Sequence, residues 1–362
     1  MNGPRDAPYP ELKNTHTMAR KGRPWTDYKP PPSAPIWGVI QGLGSYYILL
    51  AALELDVFDA LAVRGPSQSG DLAEELSVSP PHLESLLDAL TAPTLIDQYE
   101  GIYEVNDTTR RYLVSDGPAT MADLIAVAPG PHENWQDLAN TIRKGTPATP
   151  IDNDPEAFYV PLVEGTFTTI YRTAMRADLR IRYSALDAPR ILDLGAGAGA
   201  WSIAMLERAA GSSAVINDLP AVLDVAKRKA MEFEVNDRCE FRPGDFHSIP
   251  IEDDAYDIVV LSHVCRTEGE EGAVSLIDRA WNALKPDGRL LLADYFIDLE
   301  RKFNPHAVLM GTTMMASTVN GFPIRNDQVA TWLRDRGFEA IRLIEPIGFQ
   351  FVYSAQKPRR SP

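Results

Sequence analysis

The sequence is poor in cysteine and in positive charge. Its 362 residues include two cysteines, Cys239 and Cys265, and 35 Lys and Arg residues against 50 Asp and Glu residues. Two cysteines cannot build the dense disulfide framework of small secreted domains, so a reducing cytoplasm is the favoured location. The net charge of −15 argues against a nucleic-acid partner, because such a surface needs clustered Lys and Arg to meet phosphates.

The sequence also lacks the apolar pattern of a membrane protein and the pattern of a secretory signal. No apolar run reaches the ~20 residues of a membrane-spanning helix, and the N-terminus is polar and proline-rich, unlike a signal peptide. With 44% hydrophobic and 23% charged residues, the composition is that of a soluble globular protein of about two domains. We therefore expect no membrane partner.

Changes in composition divide the chain into four segments. Prolines crowd residues 1–34, which predicts an extended arm. Residues 35–118 are expected to form a small, mainly α-helical domain, and residues 119–186 a helical linker. Residues 187–362 alternate between strand and helix patterns, which predicts a separate α/β domain.

Apolar residues at helical spacing run from Ile36 to Leu61. The pattern fits either an ordinary pair of buried helices or a subunit interface, because it carries more apolar surface than one small domain needs. If it is an interface, a two-fold dimer is the default, since closed two-fold pairing is the commonest soluble assembly. We expect a homodimer formed through the N-terminal domain.

Residues 67–115 have the pattern of a winged helix-turn-helix. Ser69 is placed to cap a short helix from Asp71 to Leu76, and a second helix covers His82–Leu90 after a proline-containing turn. Two short strands between Leu95 and Val105 fit the wing. DNA binding is one interpretation, but the second helix contains no Lys or Arg to meet phosphate, so a structural role is favoured.

From residue 190 onward, strands and helices alternate as in a parallel sheet with crossover helices. The predicted strands are 190–194, 213–217, 239–242, 256–261 and 288–294, and the predicted helices are 201–210, 220–233, 270–284 and 326–336. Two further strands, 339–343 and 349–353, are too close together for a helical crossover and must be antiparallel. The predicted fold class is α/β, with a Rossmann-like seven-stranded sheet that ends in this antiparallel pair.

A glycine-rich turn joins the first of these strands to its helix, in the stretch Asp193-Leu194-Gly195-Ala196-Gly197-Ala198-Gly199-Ala200. Glycines let backbone amides approach a ligand closely, and the start of a helix offers unpaired N–H groups. The turn therefore predicts a nucleotide-like ligand.

Two kinds of nucleotide fit this turn. With Asp218 about twenty residues after the glycines, it satisfies the loose dinucleotide pattern of NAD enzymes. However, Asp193 would repel a pyrophosphate and can instead face a ligand ammonium or a water. A second acid, Asp245, is placed to meet an adenine amino group with Phe246 against the ring. The antiparallel C-terminal pair resembles the methyltransferase version of this fold.

Further short motifs complete the pattern. They are Asp218-Leu219-Pro220, Gly244-Asp245-Phe246, Leu261-Ser262-His263-Val264, Leu284-Lys285-Pro286-Asp287-Gly288-Arg289-Leu290 and Gly337-Phe338. In this combination the second half resembles class I S-adenosylmethionine (SAM)-dependent methyltransferases. Residues 36–356 together resemble the small-molecule O-methyltransferase family of plant phenolic and bacterial natural-product enzymes. The resemblance implies a winged-helix dimerisation domain, a helical region that caps the substrate site, SAM as cofactor and S-adenosylhomocysteine (SAH) as product.

The resemblance also implies a set of cofactor-binding residues. Gly195 and Gly197 would pass under the methionine portion, and Asp218 would accept hydrogen bonds from the ribose hydroxyls, although a helix N-cap is its alternative role. Asp245 and Phe246 would hold the adenine. The rest of the implied set comprises Asp193, Leu219, Ser262 and His263. No metal is implied.

The family's usual catalytic histidine is absent. Where its members carry that base after the fourth strand, this chain reads His263-Val264-Cys265-Arg266-Thr267-Glu268, so Arg266 stands at the base position. Arginine cannot act as a general base near neutral pH. Of the family's two supporting acids, one corresponds to Asp294 and the other is replaced by Ile324.

Arg266, Asp294 and His306 are the predicted catalytic residues. Arg266 would pair with a substrate carboxylate or phenolate, or stabilise developing negative charge. His306 lies on a segment expected to face the substrate and is a candidate base, with a surface position as the alternative. His263 is a weaker candidate, because it matches a residue alongside the cofactor.

The substrate pocket is expected between a long helix within 158–186 and the segment 306–319. The residues predicted to line it are Trp135, Tyr171, Met175, Met310 and Met314. Core packing explains each of them about as well, although flexible methionines suit a flat aromatic substrate.

The predicted function is SAM-dependent methyl transfer to a small, aromatic or polyketide-like secondary metabolite, driven mainly by proximity and orientation. An electron-rich carbon, an amine, a thiolate or an ionised phenol needs little help from a base. Residues 256–300 also resemble the bacteriochlorophyll-pathway carbon methyltransferase, which lacks the usual histidine. The alternative is a SAM-binding relative that catalyses hydroxylation, decarboxylation or a pericyclic reaction, with Arg266 as the anion-stabilising group. A non-catalytic binding protein is disfavoured by the intact cofactor motifs.

Overall fold

The computed structural model describes residues 33–127, 132–298, 305–347 and 350–359. The predicted proline-rich arm, residues 1–34, lies almost entirely outside these ranges. Contacts between residues divide the chain into two units, one that ends at Ala51 and one that begins at Ala52. The second unit contains a small winged domain, a helical segment and the large sheet.

Helix α1, Ala34–Glu54, accounts for nearly all of the first unit that is described. Its exposed apolar side chains include Ile36, Trp37, Val39, Ile40, Leu43 and Tyr47. With 21 residues, α1 is long and apolar enough to cross a membrane by length and composition alone. The expectation that no segment reaches this length is therefore wrong. Glycines and tyrosines divide the apolar run into short pieces in the sequence, but the helix as a whole remains apolar.

The winged domain opens the second unit. Its elements are α2 (Val57–Arg64), β1 (Ser67–Gln68), α3 (Ser69–Glu75), α4 (Pro80–Thr91), β2 (Ile96–Tyr99) and β3 (Ile102–Val105). The strands form an antiparallel sheet in the order β1-β3-β2, which confirms the predicted wing. The capping role predicted for Ser69 is wrong, because Ser69 is already inside α3. Ser67 and Gln68 pair with β3, so the helix starts directly after the strand.

A helical segment connects the wing to the large sheet. It comprises α5 (Asp107–Tyr112), α6 (Ala122–Val127), α7 (His132–Gln136), α8 (Leu138–Lys144) and α9 (Pro155–Ile181). Proline at the first position and a hydrogen bond from the Ala157 N–H to the Asp154 carboxylate start α9. A left-handed residue, Arg182, ends it. The predicted long helix before the glycine turn is therefore confirmed, and it packs against two helices of the sheet domain.

The large sheet contains seven strands in the order β6-β5-β4-β7-β8-β10-β9. Its elements are β4 (Arg190–Leu194), α10 (Ala200–Arg208), β5 (Ser213–Asp218), α11 (Pro220–Glu232), β6 (Cys239–Pro243), β7 (Tyr256–Ser262), α12 (Gly269–Ala283), β8 (Leu284–Asp294), α13 (Pro305–Ser317), α14 (Asn326–Arg336), β9 (Glu339–Ile347) and β10 (Gln350–Gln356). β10 runs antiparallel to both β8 and β9, whereas the first five strands are parallel. The predicted Rossmann-like sheet and its antiparallel end are confirmed.

Strand β8 begins four residues earlier than predicted. The stretch Lys285-Pro286-Asp287-Gly288 has the composition of a turn. The Asp287 N–H donates to the Lys357 carbonyl, and the Lys357 N–H donates to the Gly288 carbonyl, each at 2.9 Å. These contacts with the C-terminal segment hold the stretch against the sheet, and local sequence cannot reveal them.

The parallel order places four strand ends at one edge of the sheet. β4, β5, β7 and β8 all run in the same direction, so their carboxyl ends lie side by side. This edge is where α/β sheets bind their ligands. It collects the glycine turn, Asp218, His263 and Asp294.

Candidate active site

The glycine turn follows β4 and is strained in a way that only glycine relieves. Gly195, Gly197 and Gly199 have φ values of 64°, 58° and 73°. A Cβ at Gly195 would collide with Val264 and lie 3.3 Å from the Phe246 ring, while one at Gly197 would lie 3.1 Å from Val163 of α9. The segment after β7 and helix α9 therefore both pack closely against the glycine turn.

Asp218 ends β5 and contacts the turn directly. Its Oδ2 accepts a hydrogen bond from the Gly197 N–H, and its Oδ1 accepts one from the Leu219 N–H, both at 2.7 Å. Burial raises the pKa of Asp218 to about 6, against the opposing effect of these two backbone donors. The structure therefore brings Gly197, Asp218 and Leu219 together at the start of α11.

Asp193 lies beneath the turn and is fully buried. Its Oδ2 accepts a hydrogen bond from the Ser202 hydroxyl of α10 at 2.7 Å, whereas Oδ1 has no hydrogen-bond partner among the described residues. Burial raises the pKa of this carboxyl to about 7. One carboxylate oxygen is thus committed to the fold, and the other can accept a donor from a ligand.

Asp245 and Phe246 follow β6 on an adjoining turn. Asp245 is exposed, and its carboxylate accepts a hydrogen bond from the His247 N–H at 2.8 Å. The Phe246 ring faces Gly195, as the short distance to that glycine shows. His247 also pairs with Glu268 at 2.8 Å, which ties this turn to the segment after β7.

Ser262 and His263 lie where β7 ends. His263 has a φ of 61°, a left-handed conformation that is costly for a residue with a Cβ. Its N–H donates to the Ala293 carbonyl of β8 at 2.9 Å, which holds the strained backbone in place. The Ser262 hydroxyl is buried without a partner among the described residues.

Arg266, His263 and Asp294 form a buried cluster, which we call the arginine cluster. Arg266 Nη1 lies 2.7 Å from Asp294 Oδ1 and 2.6 Å from His263 Nδ1. Burial alone would raise the pKa of Asp294, but the Arg266 guanidinium holds it well below its ordinary value. Burial likewise opposes the charge on Arg266, whose pKa is nevertheless raised by the Asp294 carboxylate. The pair is therefore ionised on both sides.

Two aromatic rings extend the arginine cluster towards α13. The ring of Tyr295 lies 4.8 Å from that of His263 and 4.8 Å from that of His306, and the Arg266 guanidinium lies 5.3 Å from it. Burial lowers the pKa of His306, and the positive charge of Arg266 lowers it further. The imidazole of His306 is therefore neutral at neutral pH.

The predicted substrate residues fall into two groups. Met310 and Met314 lie on α13 with His306, and the helix of Trp135, α7, contacts α13. Tyr171 and Met175 instead pack against the hydrophobic core around α10 and α11. The Tyr171 hydroxyl donates to Glu207, and its ring stacks on Phe167. The structure does not bring these two residues to the arginine cluster.

Tyr159 on α9 is a site residue that sequence reasoning missed. Burial raises the pKa of its phenol to about 12, and both Arg266 and Asp218 are close enough to act on it electrostatically. Tyr159 is therefore within electrostatic reach of both Asp218 and the arginine cluster. No signal in the sequence marks this position, because only the structure shows that Val163, one helical turn after Tyr159, covers Gly197.

Ile324, which was expected at the position of the family's second supporting acid, is buried in the hydrophobic core of the sheet domain. Its carbonyl accepts a hydrogen bond from the Ile297 N–H at 2.8 Å. An apolar side chain at this place contributes packing and leaves Asp294 as the carboxylate of the arginine cluster.

Two family models match the chain. The model of the O-methyltransferase domain covers residues 135–339, more than half of the chain, and that of the O-methyltransferase dimerisation domain covers residues 37–115. Among curated proteins, the chain is 27% identical over 318 residues to a 3-hydroxy-5-methyl-1-naphthoate 3-O-methyltransferase from Streptomyces sahachiroi, covering 84% of this chain and 88% of that protein. It is 25% identical to the tetracenomycin polyketide synthesis 8-O-methyl transferase of Streptomyces glaucescens, covering 86% and 93%.

The fold is shared with solved structures. Human N-acetylserotonin methyltransferase, determined in complex with SAM, has a TM-score of 0.78 at 21% identity, covering 92% of this chain and 99% of that one. These names are all those of methyltransferases, and they do not favour the predicted alternative of a non-methylating reaction.

The residues at the sheet edge fit SAM. Asp193 Oδ1 is a buried carboxylate oxygen without a donor among the described residues, which suits an ammonium group. Asp218 places a second carboxylate beside the glycine turn, which suits ribose hydroxyls. With family models over both parts of the chain, the protein belongs to the O-methyltransferase domain family and is a SAM-dependent methyltransferase.

Proposed function

We propose that this enzyme methylates a small aromatic or polyketide-like secondary metabolite without the family's usual histidine base. The observation that carries the proposal is the arginine cluster, which lies at the same sheet edge as the glycine turn and Asp218. The names of two relatives, which act on a naphthoate and in polyketide synthesis, support this substrate class. The methionines of α13 provide flexible apolar surface for a flat ring.

The cofactor would be held by residues at four strand ends. Gly195 and Gly197 allow close approach of the methionine portion, with the ammonium at Asp193. Asp218 and Leu219 would lie at the ribose and Asp245 and Phe246 at the adenine, while Ser262 and His263 would flank the cofactor on the side of Arg266. When bound, SAM supplies an electrophilic methyl group on a sulfonium.

Arg266 is the substrate-side cation of this mechanism. The Asp294 carboxylate fixes its position at 2.7 Å, so the guanidinium is held before substrate arrives. A preorganised charge of this kind can orient an anionic substrate and stabilise negative charge as it develops. Proximity and orientation alone are worth up to about 7–11 kcal/mol in favourable cases. Arg266 is not itself a proton acceptor.

His306 is the candidate acceptor for any proton that the substrate must lose. Its lowered pKa keeps the imidazole unprotonated at neutral pH, and its ring packs edge-on against Tyr295 beside Arg266. A neutral imidazole in this place can take a proton, whereas the Asp294 carboxylate, held ionised by Arg266, is a poor base.

The dimerisation domain supports a homodimer formed through residues 37–115. The exposed apolar side chains of α1 would be covered by a second copy of the chain. Both cysteines are free, which fits work in the cytoplasm.

The proposal is tested by incubating the enzyme with methyl-labelled SAM and a panel of hydroxynaphthoates and polycyclic phenols. Transfer of label to one of these acceptors is the expected result. Conversion of an acceptor without loss of label from SAM would instead support a non-methylating reaction. Gly195→Ala provides an inactive control, because its Cβ collides with Val264, and Gly70→Ala provides a matched control in open space.

A further inference from the structure

The contact between Arg266 and His263 determines where the imidazole carries its proton. Arg266 Nη1 and His263 Nδ1 are 2.6 Å apart, so one of the two nitrogens must accept a hydrogen bond. A guanidinium has no lone pair to accept with, so Arg266 donates and Nδ1 accepts. The alternative, a Nδ1–H that donates to Asp294 Oδ1, would span 3.4 Å and would bring two N–H groups into collision.

A neutral imidazole with an accepting Nδ1 carries its proton on Nε2. The Nε2 atom of His263 is buried and has no hydrogen-bond partner among the described residues, and the same holds for Arg266 Nε. The two side chains are 10% and 14% exposed, so water supplies little compensation. An N–H donor left in this state costs about 1–3 kcal/mol, which a ligand oxygen would recover.

The type of ligand atom follows from these donors. Two N–H groups require an oxygen with free lone pairs, as in a carboxylate or a phenolate. Ser262 Oγ and Asp294 Oδ2 are likewise buried without a partner in the described part of the chain. The Asp294 charge is offset by Arg266 at 2.7 Å, so the carboxylate adds little repulsion to an incoming anion.

We infer that the His263 Nε2–H and the Arg266 Nε–H form a binding subsite for an anionic oxygen of the substrate, with His263 acting as a hydrogen-bond donor and not as a base. The inference rests on the proposed function, since it names the substrate group that binds beside the transferable methyl. The substrate therefore carries a carboxylate, or an acceptor hydroxyl that is ionised when bound.

The tautomer is measured directly by ¹⁵N NMR of the full-length, SAH-loaded protein labelled at histidine. His263→Gln identifies the His263 signals among those of the six histidines. We expect a protonated Nε2 and a bare Nδ1. In Arg266→Met/Asp294→Asn, where the donor to Nδ1 is gone and no unpaired carboxylate is left, the preference for a protonated Nε2 should be lost. A protonated Nδ1 in the wild-type protein would overturn the inference.

The ligand class is measured by titrating the SAH-loaded protein with benzoate, benzyl alcohol and 4-nitrophenol. Benzoate should bind about tenfold or more tightly than benzyl alcohol, as expected for a charge-assisted hydrogen bond. The apparent pKa of 4-nitrophenol, followed by the absorbance of its anion, should fall on binding. A response to benzoate alone identifies a carboxylate subsite, and a response to 4-nitrophenol alone identifies a phenolate subsite.

His263→Phe is the matched variant, because it keeps a ring against Tyr295 and removes both nitrogens. It should abolish the preference for the anion, while thermal unfolding confirms that the variant is folded. If the wild-type protein prefers neither anion, the inference fails. Methyl transfer without an anion preference would leave the proposed function standing, whereas an anion preference without methyl transfer would contradict the proposed function alone.

Discussion

The glycine turn and the arginine cluster occupy the same edge of one sheet but are specified in different ways. At the turn, positive φ angles and backbone N–H groups create the site, and a short motif encodes them. The arginine cluster depends on buried side chains from two strand ends, with Arg266 and Asp294 separated by 28 positions in the chain. The comparison teaches that cofactor binding and substrate chemistry can change independently on this fold.

The largest expected effect is a loss of turnover, without loss of SAM binding, when the Arg266–Asp294 pair is removed. Removing both charges in Arg266→Met/Asp294→Asn should lower kcat by about 100-fold, the usual loss for a charge-stabilising donor. SAM affinity should stay nearly unchanged, because Asp193, Asp218 and the glycine turn are intact. Steady-state kinetics and calorimetric SAM titration measure the two quantities.

The double variant is chosen because Arg266→Ala alone leaves a buried, unpaired carboxylate, which costs about 3–5 kcal/mol of stability. Arg266→Lys keeps the charge and serves as the folded control. Equal losses of turnover and SAM affinity in the double variant would show that the two regions are not separable.

A second prediction concerns stability, and it applies to the carboxylate beneath the glycine turn. Burial raises the pKa of Asp193 to about 7 in the folded protein, above its ordinary value of 3.8. The protonated form is therefore favoured by folding, so the stability from this group is fully present below pH 3.8 and is lost as the pH rises through 7. Between pH 5 and 8 the wild-type protein should lose about 2 kcal/mol relative to Asp193→Asn.

Urea unfolding of both SAM-free proteins across this pH range measures the difference. The difference in stability between the wild type and Asp294→Asn should not change comparably between pH 5 and 8, since Arg266 holds the pKa of Asp294 far below this window and Asp193 is present in both proteins. Parallel pH profiles for wild type and Asp193→Asn would contradict the prediction.

The smallest expected effect is on SAM binding, and it comes from a residue beside the glycine turn. Asp218→Asn should weaken SAM binding by about tenfold, because it replaces a charged acceptor with a neutral one. At saturating SAM its kcat should remain close to that of the wild type. Asp224→Asn, an exposed carboxylate on the neighbouring helix α11 that pairs with Lys227, is the matched control. A larger effect on kcat than on SAM affinity would place Asp218 on the substrate side.

The sequence predicted the sheet and the cofactor edge well, because both follow local rules. Strand β4 and the turn after it are readable from apolar alternation and glycine alone. Tyr159 was missed, and Tyr171 was predicted at the substrate although it packs against the core around α10, because both lie on the long helix α9 and local spacing does not show which face meets the site. The hydrogen bond from Arg266 to His263 was equally invisible, since it depends on a left-handed residue at the end of β7.

Helix α9 has a kinetic consequence. Glu156 near its start accepts a hydrogen bond from the Ala221 N–H of α11 at 3.0 Å, and Val163 covers Gly197. These two contacts hold the helix across the cofactor edge, and we call them the α9 latch. We expect SAH to leave only after this latch opens. Loosening the latch with Glu156→Gln should then speed SAH release in stopped-flow measurements.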